Sequence, residues 1–251
     1  MWISRIKEDA RTALQGHSVS SGLFILLYFL IAELPPTIID IILSGGFDNW
    51  TNQLHSPPLS YLIQLLYYIL SIPMQVAVYW YFMNLIREQD LNFSFLFKVY
   101  EHGKLVFKLI WTNIFMGIFL VLWSILFVIP GIIKALSYSQ VYFVLKDHPD
   151  YSASKAVKES KHLMIGFKWK FFLLNLSFIG WWILSIIPLI VGIIAAGAIS
   201  LLINDVVSYL LIAIGILGSA WMYLWLLPYF YTSLAMFYER LLIHQPSEIK
   251  E

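Results

Sequence analysis

Six apolar runs dominate the chain: Gly22 to Ser44, Leu59 to Ile86, Leu105 to Val128, Ile132 to Leu145, Phe171 to Ile203 and Val206 to Leu242. A helix that crosses a bilayer needs about 20 mostly apolar residues, and all but the fourth run meet that length. Ile132 to Leu145 covers only about 21 Å at 1.5 Å per residue, short of a core of about 30 Å. It follows Pro130-Gly131, which reads as a tight turn returning the chain at the outer face. Pro35 and Pro36 should kink the first run, while Pro73, Pro188 and Pro228 lie inside the second, fifth and sixth. These runs predict an all-α, polytopic transmembrane bundle of about six helices in three proline-containing hairpins.

Composition closes off the soluble alternative. Hydrophobic residues make up 60% of the 251 and charged residues only 12%, about half the charged share of soluble domains. A soluble fold of this size cannot hide so much apolar surface. The net charge of +1 argues against nucleic acid, which requires a concentrated basic surface. The lack of cysteine excludes disulfides, thiolate metal sites and a cysteine nucleophile. Arg5, Lys7 and Arg11 before the first run resemble a signal peptide's start. However, Met1 to Ser21 is long and amphipathic, and no small-x-small cleavage site follows. The whole chain, 1–251, reads as one membrane domain. It has an amphipathic N-terminus (1–21), two hairpins (22–146), an amphipathic linker (147–170), a third hairpin (171–242) and a tail (243–251).

Charge then orients the hairpins. Positive residues concentrate in cytoplasmic loops. With the N-terminus inside, Arg5, Lys7, Arg11, Arg87, Lys98, Lys104, Lys108, Lys146 through Lys170, Arg240 and Lys250 all fall inside. The outer connections, Gly45 to Pro58 and Asn204-Asp205, contain no Lys or Arg, and only Lys134 of the 16 basic residues falls on the outer half. The expected location is a bacterial cytoplasmic membrane with both termini cytoplasmic.

Ile72-Pro73, Ile129-Pro130 and Leu227-Pro228 each precede an aromatic-rich helix with a basic inner end. Those helices carry Tyr79, Trp80 and Tyr81; Tyr138, Tyr142 and Phe143; and Tyr229, Phe230, Tyr231 and Tyr238. A threefold hairpin repeat would explain this, as would the ordinary use of Pro in membrane helices and Tyr at interfaces. In the linker, Ala153, Ala156, Val157, Ser160, Leu163 and Met164 share one helical face, and Lys155, Lys158, Glu159, Lys161 and His162 the other. The expectation is a cytoplasmic amphipathic helix lying on membrane lipid. Its lysines would face headgroups, or alternatively a protein partner.

Charges inside spans are costly and default to function. Glu33 and Asp40 lie seven residues apart on the first helix, and Lys134 lies on the fourth. One reading is a polar outer cavity where these three meet a ligand. The other is an ion pair fastening the two helices, with Lys134 reaching toward the interface. Gly192, Gly197, Gly215 and Gly218 suggest close helix packing in the last hairpin. No Walker loop, nucleophile elbow, dinucleotide fingerprint or H-E-x-x-H pair is present. No enzyme, cofactor or metal site is therefore expected, and no catalytic residue is assigned.

The stretch Ile129-Pro130-Gly131-Ile132-Ile133-Lys134-Ala135-Leu136-Ser137-Tyr138-Ser139 has a distinctive pattern. With Ala156 to Ser160, Leu163-Met164-Ile165-Gly166, Leu176 to Trp181, Pro228-Tyr229 and Phe237-Tyr238, it resembles the bacterial integral-membrane family called domain of unknown function nine-seven-five. The likeness runs from Arg11-x-x-Leu14 to Tyr238 and is most specific over 129–181. It implies an all-helical bundle and no particular mechanism. A more distant similarity, to the membrane portion of some glycerophosphodiester phosphodiesterases, implies a lipid-related or envelope role. The leading expectation is binding or transport of a lipid-like or amphiphilic small molecule. The alternative is a scaffold or accessory subunit in an envelope-stress or antimicrobial-peptide response.

Overall fold

The computed structural model describes residues 2–52, 55–200 and 205–244, and its regular structure there is entirely helical. In chain order the helices are α1 (Trp2–Leu14), α2 (Ser18–Leu43), α3 (Phe47–Asn52), α4 (Pro58–Ile86), α5 (Phe95–Lys98) and α6 (Gly103–Leu126). They continue with α7 (Val128–Tyr138), α8 (Val141–Asp147), α9 (Ala153–Leu163), α10 (Lys168–Leu176), α11 (Ile179–Ser200) and α12 (Asp205–His244). Six segments among the described residues are long and apolar enough to cross a membrane. Three hairpins result: α2 with α4, α6 with α7, and α11 with α12. These are the proportions of a multi-pass membrane protein.

Burial divides the molecule crosswise. One end is a closed base made from α1, the start of α2, the last third of α4, the start of α6, α8, α9 and the end of α12, where Phe24, Val76 to Val78, Phe82, Val144 and Phe237 are buried. The aromatic helix ends named above converge here. The Tyr79 ring centroid is 5.2 Å from Tyr142 and 5.1 Å from Tyr231, and Phe24 stacks on Tyr81 at 3.7 Å. Beyond this aromatic floor the hairpins project as arms whose Leu, Ile and Trp side chains remain exposed. Water cannot solvate apolar surface on that scale at acceptable cost.

Local chemistry explains the departures from the expected runs. The fourth run is broken at Ser139-Gln140 into α7 and α8. There the Ser160 hydroxyl of α9 donates to Ser137 O (2.8 Å) and accepts from Gln140 N–H (3.2 Å), inserting into the helical ladder. The hairpin turn is not Pro130-Gly131 as expected. The one extended residue is Phe127, and Pro130 sits in the first turn of α7, where its missing N–H is tolerated. The fifth run breaks at Ser177-Phe178, where Lys7 Nζ donates to Ser177 O and Oγ at 3.2 Å each, closing the end of α10. Pro35 and Pro36 lie within a continuous α2. In the third hairpin Gly192 meets Gly215: a Cβ at Gly192 would stand 2.7 Å from Leu211 O.

Helix α9 has the expected faces, with Ser152 Oγ accepting from Lys155 N at its start. Its expected bed of lipid is corrected, however. Ala153, Ala156, Val157, Ser160, Leu163 and Met164 are buried against α6, α7 and α8, so protein covers the apolar face.

Candidate functional site

The three intramembrane charges are not brought together. Glu33 is exposed, with the Tyr68 hydroxyl donating to it at 3.4 Å. Asp40 is buried near the far end of α2, where its Oδ2 accepts from Trp50 Nε1 and Ser56 Oγ, both at 2.9 Å. Those bonds tie α3 and the approach to α4 onto α2, a structural use for the carboxylate. Lys134 Nζ lies 4.5 Å over the Trp123 ring. Among the described residues neither an ion pair nor a hydrogen bond joins Lys134 to either acid.

In the base, charges do converge. Arg87 reaches Asp147 with two bonds (2.6 and 3.0 Å) and Glu239 with a third (2.6 Å), and the Tyr238 hydroxyl donates to Asp147 at 2.9 Å. These carboxylates hold the Arg87 guanidinium well above its ordinary pKa against the opposing cost of burial. Lys146 donates to Trp80 O (2.8 Å) and to the Asn84 amide oxygen. The pairing locks α4, α8 and α12 into one unit and occupies Asp147, so that acid is structural. A cleft of about 730 Å3 nearby is lined by Asp9, His17, Glu88 and Asp90. Among the described residues no three metal-binding side chains cluster.

The arrangement best suited to a ligand lies between α1 and the third hairpin. Here a cleft of about 470 Å3 has walls of Trp181, Trp221, Trp225 and Tyr229 and a cationic end at Arg11. The Arg11 guanidinium carbon sits 5.2 Å over the Tyr229 ring, a cation–π contact that steers the side chain. One turn earlier on the same face, Lys7 Nζ lies 4.3 Å over Phe178. Burial, and then repulsion from Arg11, push the Lys7 ammonium below its ordinary pKa. Among the described residues no carboxylate pairs with either cation. Arg11 thus stands without a carboxylate partner at the end of an apolar wall, while Lys7 behind it is engaged by Ser177. Arg11 and Trp181 stood inside motifs marked in the sequence, yet nothing there indicated that they share a cleft.

Lys155, Lys158 and Lys161 are spread along α9. Lys155 Nζ lies 3.6 Å over Tyr151, Lys161 Nζ lies 5.3 Å over Tyr138, and Lys158 is exposed. Burial, with Lys134 and Lys158 adding repulsion, lowers the Lys161 pKa.

Residues 125–245 match the model of a family described as "Protein of unknown function (DUF975)". The family resemblance is borne out there. The match covers α7 through α12, including Trp181, Trp221, Trp225 and Tyr229, and leaves out α1 with Arg11. No curated protein and no solved structure matches the chain significantly.

Proposed function

We propose that this chain is a non-enzymatic protein of the bacterial cytoplasmic membrane, its base on the cytoplasmic side, that binds an anionic lipid-like amphiphile in the Arg11 cleft. The observation that carries this reading is the cleft itself, with its tryptophan wall and unpaired cationic end. Arg11 would hold the anionic group and Lys7 would add positive potential. The hydrocarbon tail would lie along Trp225 and Trp221, which stand outward of the aromatic floor toward the acyl chains. From Tyr229 to Trp221 the wall extends about 12 Å, enough for part of an acyl chain. The basic base facing the cytoplasm follows the usual charge asymmetry of membrane proteins.

Native mass spectrometry of the detergent-purified protein tests this with phosphatidylglycerol and phosphatidylcholine as paired probes. The wild type should retain the anionic lipid preferentially, and Arg11→Gln should reduce that preference about tenfold, the loss of about 1.4 kcal/mol. Trp225→Ala should weaken both lipids together. Equal retention of the two lipids by wild type and Arg11→Gln would reject the site.

A further inference from the structure

We infer that the α6–α7 hairpin does not cross the bilayer but turns back inside the hydrocarbon core just past its midplane, packing its tip against the ends of the acyl chains. This rests on the membrane reading above and is independent of any ligand in the Arg11 cleft.

The aromatic floor provides a common level for comparing the arms. Phe24 contacts Tyr81, Tyr79 contacts Tyr142 and Tyr231, and the Asn113 amide donates to the Tyr142 hydroxyl at 2.6 Å. At 1.5 Å per residue, Phe24 to Leu43 reaches about 29 Å outward, Tyr79 to Pro58 about 32 Å, and Tyr231 to Asp205 about 39 Å. On the same measure Asn113 to Leu126 reaches only about 20 Å and Tyr142 to Val128 about 21 Å. The two strokes of the second hairpin agree with each other, and both end about 10 Å short of crossing a hydrocarbon core.

The tip has the matching chemistry. The first hairpin turns through Asp48, Asn49, Thr51 and Asn52, residues suited to water and headgroups. The second turns through Ile125, Leu126, Phe127, Val128, Ile129, Pro130, Gly131, Ile132 and Ile133, without one polar side chain. Ile125 to Ile129 are each 62–77% exposed, so protein does not cover this tip.

Backbone turns are costly in hydrocarbon because their N–H and C=O groups lack water. This one is nearly closed on itself. Phe127 N–H bonds Trp123 O, Gly131 N–H bonds Phe127 O at 3.3 Å, and Pro130 has no N–H to satisfy. Gly131 lets the two strokes touch, since a Cβ there would stand 3.1 Å from Ser124 Cα. Lys134, about 9 Å back from the tip, is near enough to the base for its charge to act on Lys161 of α9. Such a lysine reaches toward the nearer headgroups.

The cysteine-free chain makes the test direct. Single variants Phe127→Cys, Thr51→Cys, Leu65→Cys and Ser154→Cys, reconstituted in sealed vesicles, are exposed to a membrane-impermeant maleimide from each side and then again in detergent. Thr51→Cys should label from one side and Ser154→Cys from the other. Phe127→Cys and Leu65→Cys should label only in detergent. A bimane on Phe127→Cys should be quenched most strongly by lipids with nitroxide at the chain end. Labelling of Phe127→Cys from the Thr51 side, or quenching strongest near the headgroup, would overturn the half-depth hairpin. Labelling of Leu65→Cys without detergent, or of Thr51→Cys and Ser154→Cys from the same side, would instead overturn the membrane reading beneath it.

Discussion

The base and the arms are both rich in large apolar side chains, yet they satisfy them in opposite ways. In the base Phe24, Phe82, Phe143 and Phe237 are at most 1% exposed, because each is enclosed by other helices. In the arms Leu65, Ile125, Ile194 and Leu217 are more than half exposed, and none of the described helices encloses them. Helix α12 shows both regimes in one element: Val206, Leu210 and Leu217 lie open, while Ala235, Phe237 and Leu241 are buried. The hydrophobic effect drives burial only where water is the alternative. In lipid, association depends on close packing and polar contacts instead. The base therefore resembles a soluble core with a charge lock, and the arms depend on glycine.

Substitutions should separate the two regimes. Phe24→Ala removes a stacked ring from a closed site and should destabilise the protein by about 3–5 kcal/mol, read as a lowered unfolding midpoint in mixed micelles. Arg87→Ala leaves Asp147 and Glu239 facing one another; because all three side chains retain 20–29% exposure, the cost should be about 2–3 kcal/mol by the same measurement. Gly192→Ala forces a methyl against Leu211 O and Gly215. It should cost about 1–2 kcal/mol and loosen the α11–α12 arm, seen as faster hydrogen exchange there with the base unchanged. Leu65→Ala, in an open arm, should move the midpoint by less than about 0.5 kcal/mol. If Leu65→Ala proved as damaging as Phe24→Ala, the division between base and arms would collapse.

Much of the arm region was legible because run length and charge asymmetry are local properties. The bounds of α4 and the buried face of α9, from Ala153 to Met164, follow from composition and helical period alone. The base was not legible. Arg87, Asp147 and Glu239 each look like ordinary helix-end charges, and only the fold brings them together. The intramembrane charges misled for a related reason. Asp40 stood out as a charge in an apolar run, but its partners, Trp50 and Ser56, come from a connection whose return path had no sequence signature. The Arg11 cleft was hidden likewise, since its cation and its aromatic wall lie at opposite ends of the chain.

Helices α1 and α12 clasp one another. Trp2 packs edge-on against Phe237 at 5.0 Å, Arg240 pairs with Asp9, and Ile6 and Ala10 on α1 are fully enclosed. During synthesis α1 is made long before α12 and is left in a waiting state. When α1 leaves the ribosome its partner surface does not yet exist, and its apolar stripe must rest elsewhere, on the membrane surface or on a chaperone, until α12 is made. Assembly of the base must therefore wait for α12, and a nascent chain stopped before α12 keeps an unsatisfied amphipathic helix, a feature open to recognition by quality control.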